Sequence, residues 1–452
     1  MVKLAYERPL IVKLNSGLMN KFGTKNHVEA VKEIDGVAVK EIISQFGSPC
    51  FVISERTIRD KYRDAYRAFS TRYPKVGFAW SYKTNYLDAV CRTYHSEGAW
   101  AEVVSIFEYE KAIANGVSGE RIIFNGPDKT PQDLLTAVKN NSLIHIDHLD
   151  ELYLLAGILK ETEKKAKVAI RVNMETGIYP VWDRFGFNFE NGTAWSAINK
   201  IFANPGMELA GLHCHIGTYI ISVNAYAIAA SKLCELARAV KEKYDVMVEY
   251  IDIGGGFASY NNLKGSYLRS IDIIPSFDDY AEAITTTILN FGFRPEELPT
   301  LFLETGRALI DDAGFLLGSV VALKRLNDGR RATILNIGVN ILFTSFWYDH
   351  EVSPAQEFTK YSEDMVLYGP LCMNIDVIRE SVNLPLLNRG DHVVIHRVGA
   401  YNMTQWMQFI QMRPAIVMID LECQVHQIRK AETMRTLVDL EMVPEHLVNS
   451  SI

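Results

Sequence analysis

The run Phe78-Ala79-Trp80-Ser81-Tyr82-Lys83-Thr84-Asn85 reads as an apolar strand that breaks on a lysine. An ammonium at the buried end of a strand is desolvated, which lowers its pKa and makes the side chain a usable amine nucleophile. In isolation, Lys83 reads equally as a strand-end lysine that snorkels its charge to water. Three further groups carry chemistry of their own. Ile251-Asp252-Ile253-Gly254-Gly255-Gly256 runs a strand into three glycines, whose bare backbone N–H groups suit an anion such as phosphate, or make ordinary tight turns. His213-Cys214-His215-Ile216-Gly217-Thr218 sets two imidazoles on one face of a strand, where they hold zinc, stack one ring on an aromatic cofactor, or are simply buried and hydrogen-bonded. Glu304-Thr305-Gly306-Arg307 places a carboxylate and a guanidinium three residues apart, either as a structural ion pair or with Glu304 keeping a heteroaromatic nitrogen protonated.

These residues need strands that end at a common site. From Pro49 onward, apolar strand-like runs alternate with helix-length segments: Cys50 to Ser54, Gly77 to Lys83, Ala101 to Ser105, Ile122 to Asn125, Leu143 to Ile146, Lys167 to Asn173, Leu209 to His215, Tyr250 to Gly254 and Thr300 to Glu304. Strands apolar on both faces and separated by helices predict a parallel sheet, and this number of repeats fits a closed, TIM-like (β/α)8 barrel. The polar and glycine-rich residues fall where the strands end, which is where such barrels carry their active sites. Past residue 310 the texture changes to short β-rich runs, at Gly318 to Lys324, Ala332 to Ile337, Asp391 to His396 and Pro414 to Ile419. The expectation is an α/β chain: a barrel over 46–310, a mainly antiparallel β domain over 311–428 and a helical tail over 429–452. Residues 1–45, with the alternating stretch Leu10 to Leu14, would join the β domain.

The 452-residue chain is mildly acidic and has no basic run, which argues against nucleic-acid binding. Its six cysteines are scattered, with no framework or metal spacing, as in a reducing compartment. With no signal-peptide core and no membrane-length apolar run, a soluble, cytoplasmic protein is expected.

Two later motifs, Gly369-Pro370-Leu371-Cys372-Met373-Asn374-Ile375-Asp376 and Gly399-Ala400-Tyr401-Asn402, complete a series. In order and spacing, the six motifs resemble the fold-type III pyridoxal-phosphate decarboxylases, the diaminopimelate/ornithine decarboxylase family, over about residues 34 to 425. The resemblance implies an alanine-racemase-like barrel followed by a β domain, with pyridoxal 5'-phosphate (PLP) as cofactor and no metal. By the same resemblance Lys83 would hold the cofactor as a Schiff base, His215 would stack on its ring and Glu304 would pair with the pyridine nitrogen. Thr218, Gly254, Gly255, Gly256 and Tyr401 would surround the phosphate, and Arg307 would contact phosphate or substrate. Cys372 would reach in from a partner subunit as the acid that reprotonates Cα, so the active sites would be shared within a homodimer. Tyr348, Met373 and Tyr401 would join Arg307 on the substrate side. Alanine racemases of the same fold are less similar, because they place an arginine at the ring nitrogen.

The chain departs from the family's pattern at the distal end of the substrate. Lysine- and ornithine-forming members carry an acidic residue after the cysteine, where this chain has Met373. Diaminopimelate decarboxylases carry an Arg-Pro pair ahead of a tyrosine, and the matching place here is about Thr344, in Phe343-Thr344-Ser345-Phe346-Trp347-Tyr348. An ammonium set against a methionine would be desolvated without a partner. The expected substrate is therefore an L- or D-α-amino acid with a modified or conjugated side chain, as in siderophore or other specialised metabolism, its pocket widened by Phe343, Trp347, Trp406 and Met407. The alternative is diaminopimelate decarboxylation in lysine biosynthesis. Readings of other classes are a metal-dependent barrel hydrolase using His213 and His215, and a non-catalytic homologue.

Overall fold

The computed structural model describes residues 29–358 and 361–448. Eight parallel strands form a closed barrel: Val76–Ser81, Trp100–Val103, Ile122–Phe124, Leu143–Ile146, Ala166–Asn173, Met207–Cys214, Tyr250–Asp252 and Thr300–Leu303. The last strand pairs with the first, and Ala166–Asn173 pairs with Met207–Cys214, so no edge is left open. Helices between the strands cover the outside. The helix Glu55–Ser70 shows how: Ser54 caps its first turn by accepting the Thr57 amide, and Ile58, Tyr62, Ala65 and Phe69 recur on one buried face.

Inside the barrel, side chains alternate in and out along each strand with period two, so that inward residues stack in storeys. The lower storey is apolar and includes Ala79, Trp100, Ile123, Leu143, Ala169, Tyr250 and Phe302. Two residues further along the same strands the inward positions are Ser81, Glu102, Asn125, His145, Arg171, Asp252 and Glu304, all polar and almost all fully buried. This polar storey is the floor of the candidate site.

The second sheet is mainly antiparallel and is built on the long strand Gly314–Arg325. One strand differs from expectation. Cys50–Ser54, read from sequence as the first of the barrel series, lies in the second sheet, antiparallel to Gly314–Arg325 and parallel to Ala415–Ile419. All five of its residues are buried, so its composition suits either sheet and long-range pairing decides. The chain thus enters the β domain before it builds the barrel. The tail also differs, since the stretch expected to be helical from residue 429 begins inside a strand, Val425–Arg429, and among the described residues is helical over Met434–Val438, with no buried residue, and Glu445–Val448. The Leu10 to Leu14 stretch lies outside the described residues. Among the described residues, no helix is long and apolar enough to cross a membrane.

Candidate active site

A cavity of about 380 Å³ opens at the C-terminal ends of the barrel strands and is lined by Lys83, Glu102, Asn125, Arg171, His213, His215, Thr218, Glu304, Arg307 and Tyr401. Residues from six barrel strand ends and the loops after them meet there with Trp347, Tyr401 and Gln405 of the second domain. Sequence motifs up to about 320 residues apart therefore share one space, as the strand-end placement required.

Lys83 sits in a short 3₁₀ turn, Tyr82–Thr84, immediately after the first barrel strand. Its Nζ lies 2.7 Å from each carboxylate oxygen of Glu102. Burial lowers the lysine pKa, but the carboxylates of Glu102 and Glu304 outweigh it and the net shift is upward. The depressed pKa expected from sequence is thereby corrected: without its cofactor the protein holds Lys83 as an ammonium, because the neighbouring strand supplies a buried acid. Glu102 is in turn held by Ser81 Oγ and by Asn125 Nδ2 at 3.0 Å.

Asn125 spans the site, since the same Nδ2 donates to Glu304 Oε1 at 2.6 Å. Glu304 follows the last barrel strand and is buried, with His213 Nε2 at 3.3 Å from its other oxygen. His213 lies with its ring centroid 4.7 Å from that of His145, whose Nε2 is 2.9 Å from the Tyr250 hydroxyl. Burial holds His145, His213 and His215 well below the usual imidazole pKa, so all three are neutral. Asp252, on the strand beside His213, is pushed well above the carboxylate range by burial and then by Glu304, and it keeps its proton. Ligating atoms of His145, His213 and Glu304 lie within 4.8 Å of one another. His215 takes no part in that cluster. Its ring instead packs against Trp182, with centroids 5.5 Å apart.

The glycine loop approaches its neighbours too closely for side chains. A Cβ on Gly254, Gly255 or Gly256 would lie 2.4 Å or less from the carbonyl oxygens of Cys214, Glu304 and Gly217, and Gly254 and Gly256 have φ of +71° and +95°. Beside this loop, Arg307 is buried, its guanidinium 4.6 Å from the Tyr401 ring centroid and its Nη2 3.5 Å from Thr218 Oγ1. Its Nη1 is buried without a hydrogen-bond partner among the described residues.

Lys83, His215, Thr218, Glu304, Arg307 and Tyr401 are thus brought together, whereas Gly254, Gly255 and Gly256 do not line the cavity and pack behind it against the Cys214, Glu304 and Gly217 carbonyls. Tyr348 is buried behind Arg307, 5.3 Å from its guanidinium, and does not line the cavity. Cys372 and Met373 lie on a loop of the second domain away from the cavity, and Cys372 is exposed rather than core. Of the aromatic residues expected to widen the pocket, only Trp347 lines it. Phe343 packs edge-on behind Trp347, Met407 packs against the core, and Trp406 stacks under Arg413 and Arg429. The motifs do not name Glu102, Asn125, Arg171, Trp182, Phe185 or Gln405, all of which line the cavity. The available signal was a polar residue inside an otherwise apolar strand, as at Glu102 and Asn125.

Comparison with known proteins gives the same assignment. Residues 55–311, more than half of the chain, match the family described as pyridoxal-dependent decarboxylase, pyridoxal binding domain. Diaminopimelate decarboxylase of Methanocaldococcus jannaschii is 29% identical over 434 residues, 92% of this chain and 96% of that protein. The Bacillus subtilis enzyme of the same name is 26% identical over 91% of this chain and 95% of its own length. The crystal structure of the M. jannaschii enzyme superposes with a TM-score of 0.85 at 28% identity, covering 94% of this chain and 99% of the other. The chain belongs to the pyridoxal-dependent decarboxylase family, and is an amino-acid decarboxylase of fold type III whose cofactor is PLP.

Proposed function

We propose that this decarboxylase removes the α-carboxylate of a diaminopimelate-class amino acid, at a site built by two copies of the chain. The substrate class is supported by the names of its relatives, which are diaminopimelate decarboxylases over nearly their whole length. The site assignment rests on one observation: Lys83, Glu304 and Arg307 line a single cavity beside the glycine loop.

The residues fit PLP. Arg307, beside Thr218 and Tyr401, offers a buried Nη1 with no hydrogen-bond partner among the described residues, a group suited to a phosphate. Lys83 is the amine for covalent attachment, and Glu304 is the acid for the pyridine nitrogen. When bound, PLP supplies an electron sink for the charge left on Cα as carbon dioxide departs. Glu304, fixed by Asn125, would keep the proton on the ring nitrogen. Neutral His215, backed by Trp182, would hold the ring by stacking. Glu102, 2.7 Å from Lys83 Nζ, would compensate the charge of its ammonium. Cys372, exposed and off the cavity of its own chain, would return a proton to Cα in the site of a second copy.

One observation favours a second substrate reading, the modified side chain. By the resemblance, the arginine of diaminopimelate decarboxylases falls at about Thr344, whose Oγ1 is buried and engaged by His350 Nε2 at 2.8 Å and Asn402 Oδ1 at 2.9 Å. With Met373 it leaves both distal positions uncharged, while Trp182, Phe185, Trp347 and Gln405 form the outer wall of the cavity.

Carbon dioxide release from meso-diaminopimelate, lysine, ornithine and N-acylated diamino acids separates the two readings. A kcat/KM on the order of 10⁴ M⁻¹s⁻¹ or more for meso-diaminopimelate carries the first. The same efficiency confined to the acylated substrates carries the second. Borohydride reduction should bleach the yellow protein and leave the cofactor on Lys83, and its recovery on another residue would reject the site. Mixing Lys83→Ala with Cys372→Ala protomers should restore activity that neither variant has alone, and no recovery would reject the shared site.

A further inference from the structure

Asp311 is a buried carboxylate outside the catalytic set, at the point where the barrel hands over to the second domain. It lies one helical turn after Arg307, at the end of the helix Arg307–Ile310. Both of its side-chain oxygens are used. Oδ2 accepts from Ser259 Oγ at 2.5 Å and from Asn261 Nδ2 at 3.1 Å, and Oδ1 accepts from the Ala400 amide at 3.1 Å. Its main-chain carbonyl also accepts from the Gly399 amide, at 3.3 Å.

The donors come from two loops that converge on the anion end of the cavity. Ser259 and Asn261 lie on the segment that continues from Gly254–Gly256, and the Gly256 carbonyl accepts the Ile220 amide just beyond Thr218. Ala400 precedes Tyr401, a non-glycine residue held at φ +65°. The same loop is gripped from the lysine side, where the Tyr401 amide donates to Thr84 O at 2.9 Å and Asn85 Nδ2 donates to Gly399 O at 3.0 Å. Asn261 Nδ2 also donates to Arg397 O at 2.8 Å, further tying the barrel loop to the second domain. The contact tolerates no bulk, since a Cβ on Gly399 would meet Ile310 O at 2.0 Å.

A carboxylate is the group that satisfies this geometry. Donors face it on both sides, and an amide offers only one acceptor oxygen and would turn its NH₂ toward another donor. Burial of such a charge is costly unless it is hydrogen-bonded throughout, as it is here.

We propose that Asp311 is a positioning residue for the cofactor phosphate: by joining Ser259 and Asn261 to the Ala400 amide across the two domains, it sets the glycine loop, Arg307 and Tyr401 in register around one anion. This rests on the proposed assignment of those residues as the phosphate cradle. Asp311 itself does not line the cavity.

The test compares binding of pyridoxamine 5'-phosphate and of pyridoxamine to cofactor-free protein by fluorescence quenching. Neither ligand needs the covalent bond to Lys83, so their difference reads the phosphate contacts alone. The wild-type protein should prefer the phosphorylated ligand by roughly a hundredfold or more, as charge-assisted contacts to a phosphate require. Asp311→Asn should lose about tenfold of its affinity for the phosphorylated ligand, the size of a lost buried acceptor, and keep its affinity for pyridoxamine. Ser259→Ala, which leaves the backbone and the carboxylate in place, should lose about threefold in the same selective way and decides the matter where Asp311→Asn fails to fold. Unchanged affinities in both variants, or equal losses for both ligands, would overturn the role of Asp311. A wild-type protein without preference for the phosphorylated ligand would instead overturn the cradle itself.

Discussion

Lys83 Nζ stands 2.7 Å from both carboxylate oxygens of Glu102, and Glu102 is completely buried. A lysine that must act as an amine is therefore kept protonated by the strand beside it. Glu102→Gln should lower the Lys83 pKa, because the first of the two carboxylates that raise it is gone. Measured as the rate of PLP capture by cofactor-free protein against pH, the rise in rate should move to lower pH. A profile left in place would show that Glu102 does not control the amine.

Glu304 should set the depth of the electron sink. Glu304→Gln removes the charge that keeps the ring nitrogen protonated, and decarboxylation should fall by about 10²–10³, the usual cost of one lost stabilising group in a preorganised site. Cofactor content, read by absorbance, should fall far less than turnover. Equal losses in both would assign Glu304 to binding alone.

Acid sensitivity follows from His350, which is buried between Thr344 Oγ1 and His396 O and whose pKa burial pushes down to about 3. Between that value and the ordinary imidazole pKa of about 6.5, the unfolded chain takes up a proton that the folded chain refuses. Stability should therefore fall as pH drops through this window, with His350 contributing up to about 5 kcal/mol of the loss. In urea unfolding at pH 7 and pH 5, the His350→Gln variant should lose less stability on acidification than the wild type.

Lys129 and Glu151 form an ion pair of 2.7 Å that is almost wholly excluded from solvent, and Lys129 Nζ also donates to Gly126 O and His145 O. Replacing one partner leaves the other charge buried and alone, so Lys129→Met should destabilise the fold by about 3–5 kcal/mol. Because Gly126 and Pro127 line the cavity, the variant should also hold PLP less tightly. Urea denaturation and cofactor titration check the two effects separately.

The alternation of apolar strands with helices determined the eight-stranded barrel, because a strand buried on both faces in a parallel sheet needs that composition wherever it sits. The motifs at strand ends likewise determined the candidate site, since barrel topology brings all such ends to one face. What the alternation left open was partner choice. Cys50–Ser54 suits two sheets equally, and only its register with Gly314–Arg325 and Ala415–Ile419 places it in the second. The tertiary structure alone also decided the electrostatics. Lys83 read as a depressed lysine until Glu102, nineteen positions away and on the adjacent strand, was found against it. A pKa depends on which charges are near in space, and that distance is fixed by the closed barrel rather than by separation along the chain. The same holds for Asp311, whose carboxylate takes its three donors, two side chains and the Ala400 amide, from fifty or more positions away in either direction, where the two domains touch.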